Sequence, residues 1–513
     1  MIAVTFRAMR APGRRASVTG PVASAVTRRA HAVAVAIGTA AVATLYSVFS
    51  LGGQRHFETN AYDLGIFDQA VAGYSRFGAP LSLVKGVHNG FGTHFSVLGD
   101  HFSPILAVLG PFYRVFPHVQ TLLIAQAVLF ALSVPFVWMF TRRALGTLPA
   151  YLIALGYSLS WCLQGALADD FHEIAFAVPL IAIAIERLDA GKIRTAVIAA
   201  ALLLLVKEDL GPVVALFGLV IGLRTRRWKT GLVLFVAAIV VTVIEVDVLI
   251  PAAGGRPGYY WTYYAALGSG PAAALWHVVR HPASTLHLLV TPAQKVRLLE
   301  WLFLPLGLAS LGSSIVLLAV SPIAELVASA NDNQWQLVSH YTAVLAPILT
   351  LAAVDTVAKL LRLVGARRVI AAGRPRAARR VTAILGAGYA AGVLMIALWA
   401  CARMPFDQLS QHWWWHTDQV DVAARAAVAQ VPNGATVEAS DHLVPHLVDR
   451  AKVMLLDATP HNAPWVVIDE GRVDWPLTPW EQQTRIGWLT THGYHEVFAR
   501  SHFVVYYRGS TGA

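Results

Sequence analysis

Charge is scarce in this sequence, and cysteine scarcer still. Only 13% of its 513 residues are Asp, Glu, Lys or Arg, against 56% hydrophobic residues, a poor match to a soluble fold of this size. The two cysteines, Cys162 and Cys401, fall in or beside apolar runs, where a thiol packs as a small hydrophobe, so no disulfide framework is implied. Acids are the rarer sign, 29 against 40 Lys and Arg. The basic excess does not point to nucleic acid, because the arginines gather in short segments between apolar runs, as cytoplasmic loops of membrane proteins do. A glycine-rich dinucleotide loop, a nucleophile elbow and a visible internal repeat are also missing.

What is abundant is apolar sequence. The runs 32–51, 122–140, 232–246 and 381–400 approach or reach the ~20 residues that a spanning helix needs. The expected fold is an α-helical polytopic membrane protein. Residues 1–30 read as a basic cytoplasmic leader. Its Arg7, Arg10, Arg14, Arg15, Arg28 and Arg29 resemble a signal peptide's charged region, but the following run is too long and lacks a clear small-residue cleavage site. It is read as a retained first helix.

Residues 31–402 then form the transmembrane domain, with an external loop at 52–117. The run 122–140 re-enters and stops at Arg142 and Arg143; 149–164 goes out, "ADDFHE" (168–173) turns, and 174–185 returns. The stretch 195–223 would place "RTRRWK" (224–229) outside if it were one helix. Two arms turning at Lys207, Glu208 and Asp209 avoid this. Each arm of about 12 residues reaches only ~18 Å, short of the ~30 Å hydrocarbon core, so the turn is expected in a cavity below the outer surface. An outgoing run at 229–252, three crossings at 296–311, 314–327 and 341–361, and a last span at 381–400 bring the expectation to about eleven crossings. Residues 403–513 read as a small external α/β domain, with "HWWWH" (412–416) as an interfacial aromatic belt. Within it, helices are expected at 420–430, 441–448 and 480–491, and strands at 436–439, 452–456, 465–469 and 502–508.

In this topology Asp63, Asp68, His94, Asp100, His101, Asp169, Asp170, His172, Glu173, Lys207, Glu208, Asp209 and His340 share the outer side. A charge at bilayer depth costs ~2.5 to 3.5 kcal/mol, which makes the Lys-Glu-Asp turn a functional candidate; its structural alternative is Lys207 pairing with Glu208 or Asp209 to knit helices. In "NAYDLGIFDQA" (60–70) a regular helix would set Asp63 and Asp68 about 140° apart, so one ligand cannot meet both. Asp63 is preferred as the buried acid, with Asp68 capping or contacting solvent. "GDHFSPI" (99–105) offers Asp100 and His101 to a metal or phosphate, or else caps a helix through Asp100, or through Ser103 before Pro104. "ADDFHE" has metal-like residue types without a recognised ligand spacing. The aromatic loop at 259–264 suits stacking on sugar or isoprenoid, and interfacial anchoring equally.

Together "YDLGIFDQA", "GDHFSPIL", "DDFHEIAFAVPL", "LLLVKEDLG" and "SHYTAVLAPIL", with "PNGATVEASDHLVPHLVDRAKVMLL" in the tail, resemble the bacterial membrane-protein family called domain of unknown function 2079, over roughly residues 57–508. That family is itself similar to the GT-C superfamily of glycosyltransferases, which take a sugar from a polyprenyl-phosphate donor on the outer face. The resemblance implies a GT-C-like transmembrane domain and a sugar acceptor that is a glycan, lipid or protein of the envelope. It implies a catalytic acid just past the first helix, matched by Asp63 with Asp68 as second choice. Lys207, His101 and His340 become candidates to hold the phosphate leaving group, and Asp100, Glu208 and Asp209 to bind substrate. No Asp-x-Asp or Glu-x-Asp pair follows the first helix, so a divalent metal is possible without being required by the motifs. The rival readings are an ion-coupled transporter, which should need polar groups reachable from both faces, and a non-catalytic envelope scaffold, which leaves the Lys-Glu-Asp turn without a purpose.

Overall fold

The computed structural model describes residues 21–372 and 375–509. Residues 1–20 of the expected leader, and positions 373 and 374 of the basic block, lie outside the described residues. Six described helices are long and apolar enough to cross a membrane: Arg28–Arg55, Gln120–Leu145, Thr147–Ala168, Trp228–Ala252, His340–Gly365 and Arg376–Cys401. Val33, Ile37, Leu232, Val233, Val240 and Val243 stay uncovered on two of them, a surface suited to lipid rather than water. Gln120–Leu145 is central, packing against the first helix and against Thr147–Ser158, Ala177–Asp189 and Leu345–Ala372.

The remaining apolar runs are shorter or broken. The stretch 195–223 breaks at Lys207, where Ile193–Ala201 and a tight turn at Leu202–Leu205 give way to extended backbone before Gly211–Thr225 begins. Pro212 in the first turn of that second helix explains the restart, since it needs no hydrogen-bonded N–H there. Leu203 and Leu210, on either side of the break, are buried. The expected span 296–311 is corrected: the helix Ala293–Phe303 ends before Pro305, and Gly307 and Leu308 both take positive φ. The run 314–327 likewise divides into a 3-10 segment, Ser314–Ala319, and the helix Val320–Ala328.

Within the helical bundle, the ion pairs described gather mainly in two places. At one end of the bundle Arg143 pairs with Glu186 and with Asp189 (3.1 Å), Arg224 with Asp355 (2.8 Å), and Lys359 with Asp355 (2.8 Å). Asp189 also reaches Arg224 at 3.5 Å. This network ties four helices at the end where the arginine-rich loops emerge. The other group surrounds the cavity described below.

The tail carries a five-stranded sheet in the order β2-β1-β3-β5-β4, formed by Thr436–Ala439 (β1), Lys452–Leu455 (β2), Trp465–Asp469 (β3), His495–Arg500 (β4) and Phe503–Tyr507 (β5). β1 pairs in parallel with β2 and β3, while β5 runs antiparallel to β3 and β4. The helices Gln419–Val428 and Pro479–Thr491 each begin with a capping box, Asp418 with Asp421 and Thr478 with Glu481. Two expectations change here. Residues 441–446 form a 3-10 turn rather than an α-helix, because Pro445 falls inside it. β4 was not expected: its side chains are largely exposed and give no apolar alternation to read.

The tail and the first loop share a core. Val437, Leu443 and Val444 belong to the same cluster as Leu64 and Val84, and a Cβ at Gly65 would meet Val444 Cγ1 at 3.1 Å. Within "HWWWH", Trp414 is buried and stacks on Phe49 at 5.2 Å, so it is a core residue and not part of an interfacial belt. Gly52 makes this possible, since any Cβ there would collide with the Trp414 ring at 2.5 Å. Trp413 and Trp415 stay partly exposed.

Candidate active site

A cavity of about 990 Å³ opens between the first loop, the turns at 169–172 and 207–209, the segment 330–341 and the tail. Seven of the eight residues singled out from sequence line it: Asp63, Asp100, His101, Lys207, Glu208, Asp209 and His340. Asp68 does not. It is fully buried on the helix Ile66–Ser75, accepts a 2.8 Å hydrogen bond from the Tyr113 hydroxyl, and burial pushes its carboxyl up to about 7. The buried acid of the pair is therefore Asp68, while Asp63 opens onto the cavity with a quarter of its side chain exposed.

The reason is local backbone. Residues 61–65 form an irregular turn, not a regular helix, with Asp63 at φ 98 and ψ −79. A non-glycine residue in that region costs about 1–3 kcal/mol and persists only where its surroundings hold it. Two carboxylates do so. Asp170 Oδ2 accepts from the Asn60 N–H at 2.6 Å, and Asp441 Oδ1, from the tail, accepts from the Ala61 N–H at 3.0 Å. Burial raises the Asp63 carboxyl to about 6, with His340 pulling the other way and Asp169 adding to the rise.

Around Asp63 the polar groups converge. His340 Nδ1 lies 2.7 Å from Asp169 Oδ2 and 3.5 Å from Asp63 Oδ2, and the His340 backbone N–H donates to Asp169 at 2.8 Å. His172 stacks on His340 with ring centroids 3.7 Å apart, and its backbone N–H donates to Gln126 at 3.0 Å. One ligand atom from each of Asp63, His172 and His340 lies within 4.8 Å of the others. His340 Nε2 is buried without a hydrogen-bond partner.

The cations sit nearby in pairs. Lys207 Nζ is 3.2 Å from Asp209 and 3.9 Å from Glu173. Lys85 Nζ is 2.9 Å from Asp100 and lies over the Tyr62 ring at 4.8 Å. His101 Nδ1 lies 2.6 Å from Glu208, which also accepts from the Phe102 N–H. Asp100 and His101 thus face different partners, and the capping alternative for Asp100 gives way to its ion pair with Lys85. Ser103 caps nothing through its side chain, although Pro104 does start the turn that follows. Tyr263 and Tyr264 of the aromatic loop also line the cavity.

Sequence reasoning did not single out Lys85, Asp169, His172 or the tail's Asp441 and Trp475 as site residues. "ADDFHE" held the signal for two of them, in residue type alone. The others become neighbours only through folding.

Comparison with known proteins agrees with this architecture. No curated protein matches the chain. Among solved structures, ArnT from Cupriavidus metallidurans bound to undecaprenyl phosphate is similar at a TM-score of 0.50 and 14% identity, over 93% of this chain and 98% of that one. The same protein in its apo state gives 0.47 at the same identity and coverage. Such identity speaks for the fold alone, which the two chains share over nearly their whole lengths. The model of the family described as predicted membrane protein (DUF2079) matches residues 55–496, from the end of the first helix to the fourth strand of the tail, and the chain belongs to that family.

Proposed function

We propose that this protein is a membrane glycosyltransferase that moves a sugar from a polyprenyl-phosphate-linked donor to an envelope acceptor. The observation that carries the reading is Asp63, an acid held in a strained turn on the wall of a polar cavity beside Asp169 and His340. A GT-C-like fold, seen also in a protein whose structure holds undecaprenyl phosphate, supports a polyprenyl lipid as the donor's carrier. The basic network at the opposite end of the bundle supports an outer-face cavity, an inner N-terminus and an outer tail. The finer topology of about eleven crossings belongs to the same reading, with the shorter and broken apolar runs supplying those beyond the six long helices.

In the reaction, Asp63 takes the proton of an acceptor hydroxyl as that oxygen attacks the anomeric carbon. The bond from that carbon to the phosphate oxygen breaks, and polyprenyl phosphate leaves with the electron pair. Lys207, with His101 behind Glu208, faces the developing charge, and Asp209 keeps the ammonium in place. Asp169 holds the His340 ring in place through Nδ1, with Nε2 turned away from it.

Asp63, His172 and His340 fit a divalent cation of the zinc or manganese class. The fit rests on the orphaned His340 Nε2 and on the carboxylate behind the ring, the usual support of a ligating histidine. Bound there, the ion would neutralise phosphate charge in a cavity richer in acids than in cations.

The test is turnover. Purified protein incubated with undecaprenyl-phosphate-linked hexoses and pentoses should release undecaprenyl phosphate from at least one of them. Transport of a solute into sealed vesicles with no release from any donor would sink the proposal.

A further inference from the structure

We propose that the segment Gly471–Trp475 of the tail forms a saccharide-binding wall of the cavity, with Trp475 as the platform on which a pyranose ring stacks. This rests on reading the cavity as a glycosyl-transfer site.

Trp475 lines the cavity yet keeps 49% of its surface exposed. A half-bare indole in a polar cavity loses hydrophobic stabilisation unless a ligand covers it. Tyr62 and His88 brace it, with ring centroids at 4.6 and 5.0 Å, but both stand at about 65° to it, and neither covers it as a parallel stack. The Tyr62 hydroxyl donates to Asn89 Oδ1 at 2.7 Å, and both residues line the same wall. A broad apolar face flanked by amide, carboxylate and guanidinium groups matches a sugar ring, whose C–H face is apolar and whose hydroxyls radiate from its rim. Tyr62 adjoins Asp63 in sequence, which puts the wall beside the proposed base.

The platform is held rigidly, at a cost. The Gly471 and Arg472 N–H groups donate to Asp469 Oδ1 at 2.9 and 3.2 Å. Arg472 Nε reaches Asp474 at 2.6 Å. Beneath them His442, 2% exposed, contacts Asp474 through Nδ1 and Asp469 through Nε2 at 3.2 Å. Burying an imidazole between two carboxylates carries a desolvation penalty that an apolar core would avoid. The network fixes both ends of the segment carrying Trp475, and a platform fixed before the ligand arrives loses less entropy on binding.

The experiment uses full-length protein in detergent and two probes: fluorescently labelled hexose oligosaccharides of α and β linkage, and an undecaprenyl-phosphate-linked hexose in the same detergent. Wild type should bind at least one probe. Trp475→Ala should weaken that binding about tenfold or more, the scale of one lost aromatic contact, and Trp475→Phe should restore most of it. Loss confined to the free oligosaccharides assigns the wall to the acceptor; loss confined to the lipid-linked hexose assigns it to the donor sugar. Binding by neither probe, or equal dissociation constants for wild type and Trp475→Ala, would overturn the wall. Saccharide binding that depends on Trp475 without turnover on any donor would keep the wall and remove the transfer reading.

Discussion

Asp441 of the tail accepts a 3.0 Å hydrogen bond from the backbone N–H of Ala61, two residues before the strained Asp63. Hydrogen bonds to a charged group contribute about 1.5–3 kcal/mol, which is comparable to the strain of the turn. Asp441→Ala should therefore release residues 60–63. Their amide hydrogen exchange should quicken while that of β1 and β3 holds, and transfer should fall by about 10- to 100-fold. Unchanged exchange across 60–63 would mean that the grip is incidental.

The two acids of the first loop should separate cleanly. Asp63→Asn keeps shape but removes the base, so kcat should fall by ~10² to 10⁴ with protein level intact. Asp68→Asn should leave turnover near wild type, because Asp68 is walled off from the cavity and bonded to Tyr113. A loss in Asp68→Asn as large as in Asp63→Asn would move the base to the helix Ile66–Ser75.

The acidic limb of the rate has a defined position. Burial raises the Asp63 carboxyl to about 6, against a partial pull downward from His340. Its base form accumulates only above that value. Plotted against pH, kcat/KM should climb through about 6 and level off above it, and Asp63→Asn should lack that limb. A flat profile from pH 4 to 8 would show that no such carboxyl controls the step.

Metal binding can be read without turnover. Stripped protein titrated with zinc or manganese should take up one ion, and His172→Ala or His340→Ala should abolish uptake. Asp169→Asn, which leaves all three ligands in place, should weaken it by about 10- to 100-fold through the His340 ring. Equal uptake by wild type and His340→Ala would remove the ion from Asp63, His172 and His340.

Orientation is open to chemical labelling. Single cysteines at Asn433 in the tail and at Lys192 in the turn after Ala177–Asp189 are both exposed positions. With Cys162 and Cys401 replaced by alanine, an impermeant thiol reagent on intact cells should label the first and spare the second. The reverse pattern would invert the molecule in the membrane.

Much of the cavity is legible from sequence, because charge beside apolar runs is conspicuous: Lys207, Glu208, Asp209 and His340 stand out on that ground alone. What escapes is proximity. His340 and Asp169 touch across 171 positions, a spacing that no local pattern encodes. Nearness to the end of the first helix misassigns the buried acid of 60–70, since the backbone turns irregular at Tyr62 and Asp63, where Asp170 and Asp441 hold the Asn60 and Ala61 N–H groups. Nothing around Trp475 announces that it points at a distant turn. Among the strands, β1 and β3 are legible because their side chains are mostly buried, while β4 offers a polar, exposed edge.

Residues from Asn60 to Trp475 line the same cavity, and the clamp on the Asp63 turn comes from Asp441. The ribosome must therefore make more than four hundred residues after Asn60 before the site exists. A nascent chain with its helices inserted but its tail unfinished holds the Asp63 turn through Asp170 alone, beside a cavity that lacks a wall. A premature stop after Cys401 would leave the helices without Asp441 and Trp475, and the cavity without that wall. The order of synthesis thus makes the cavity the last thing to be completed, when the end of the polypeptide folds onto the first loop.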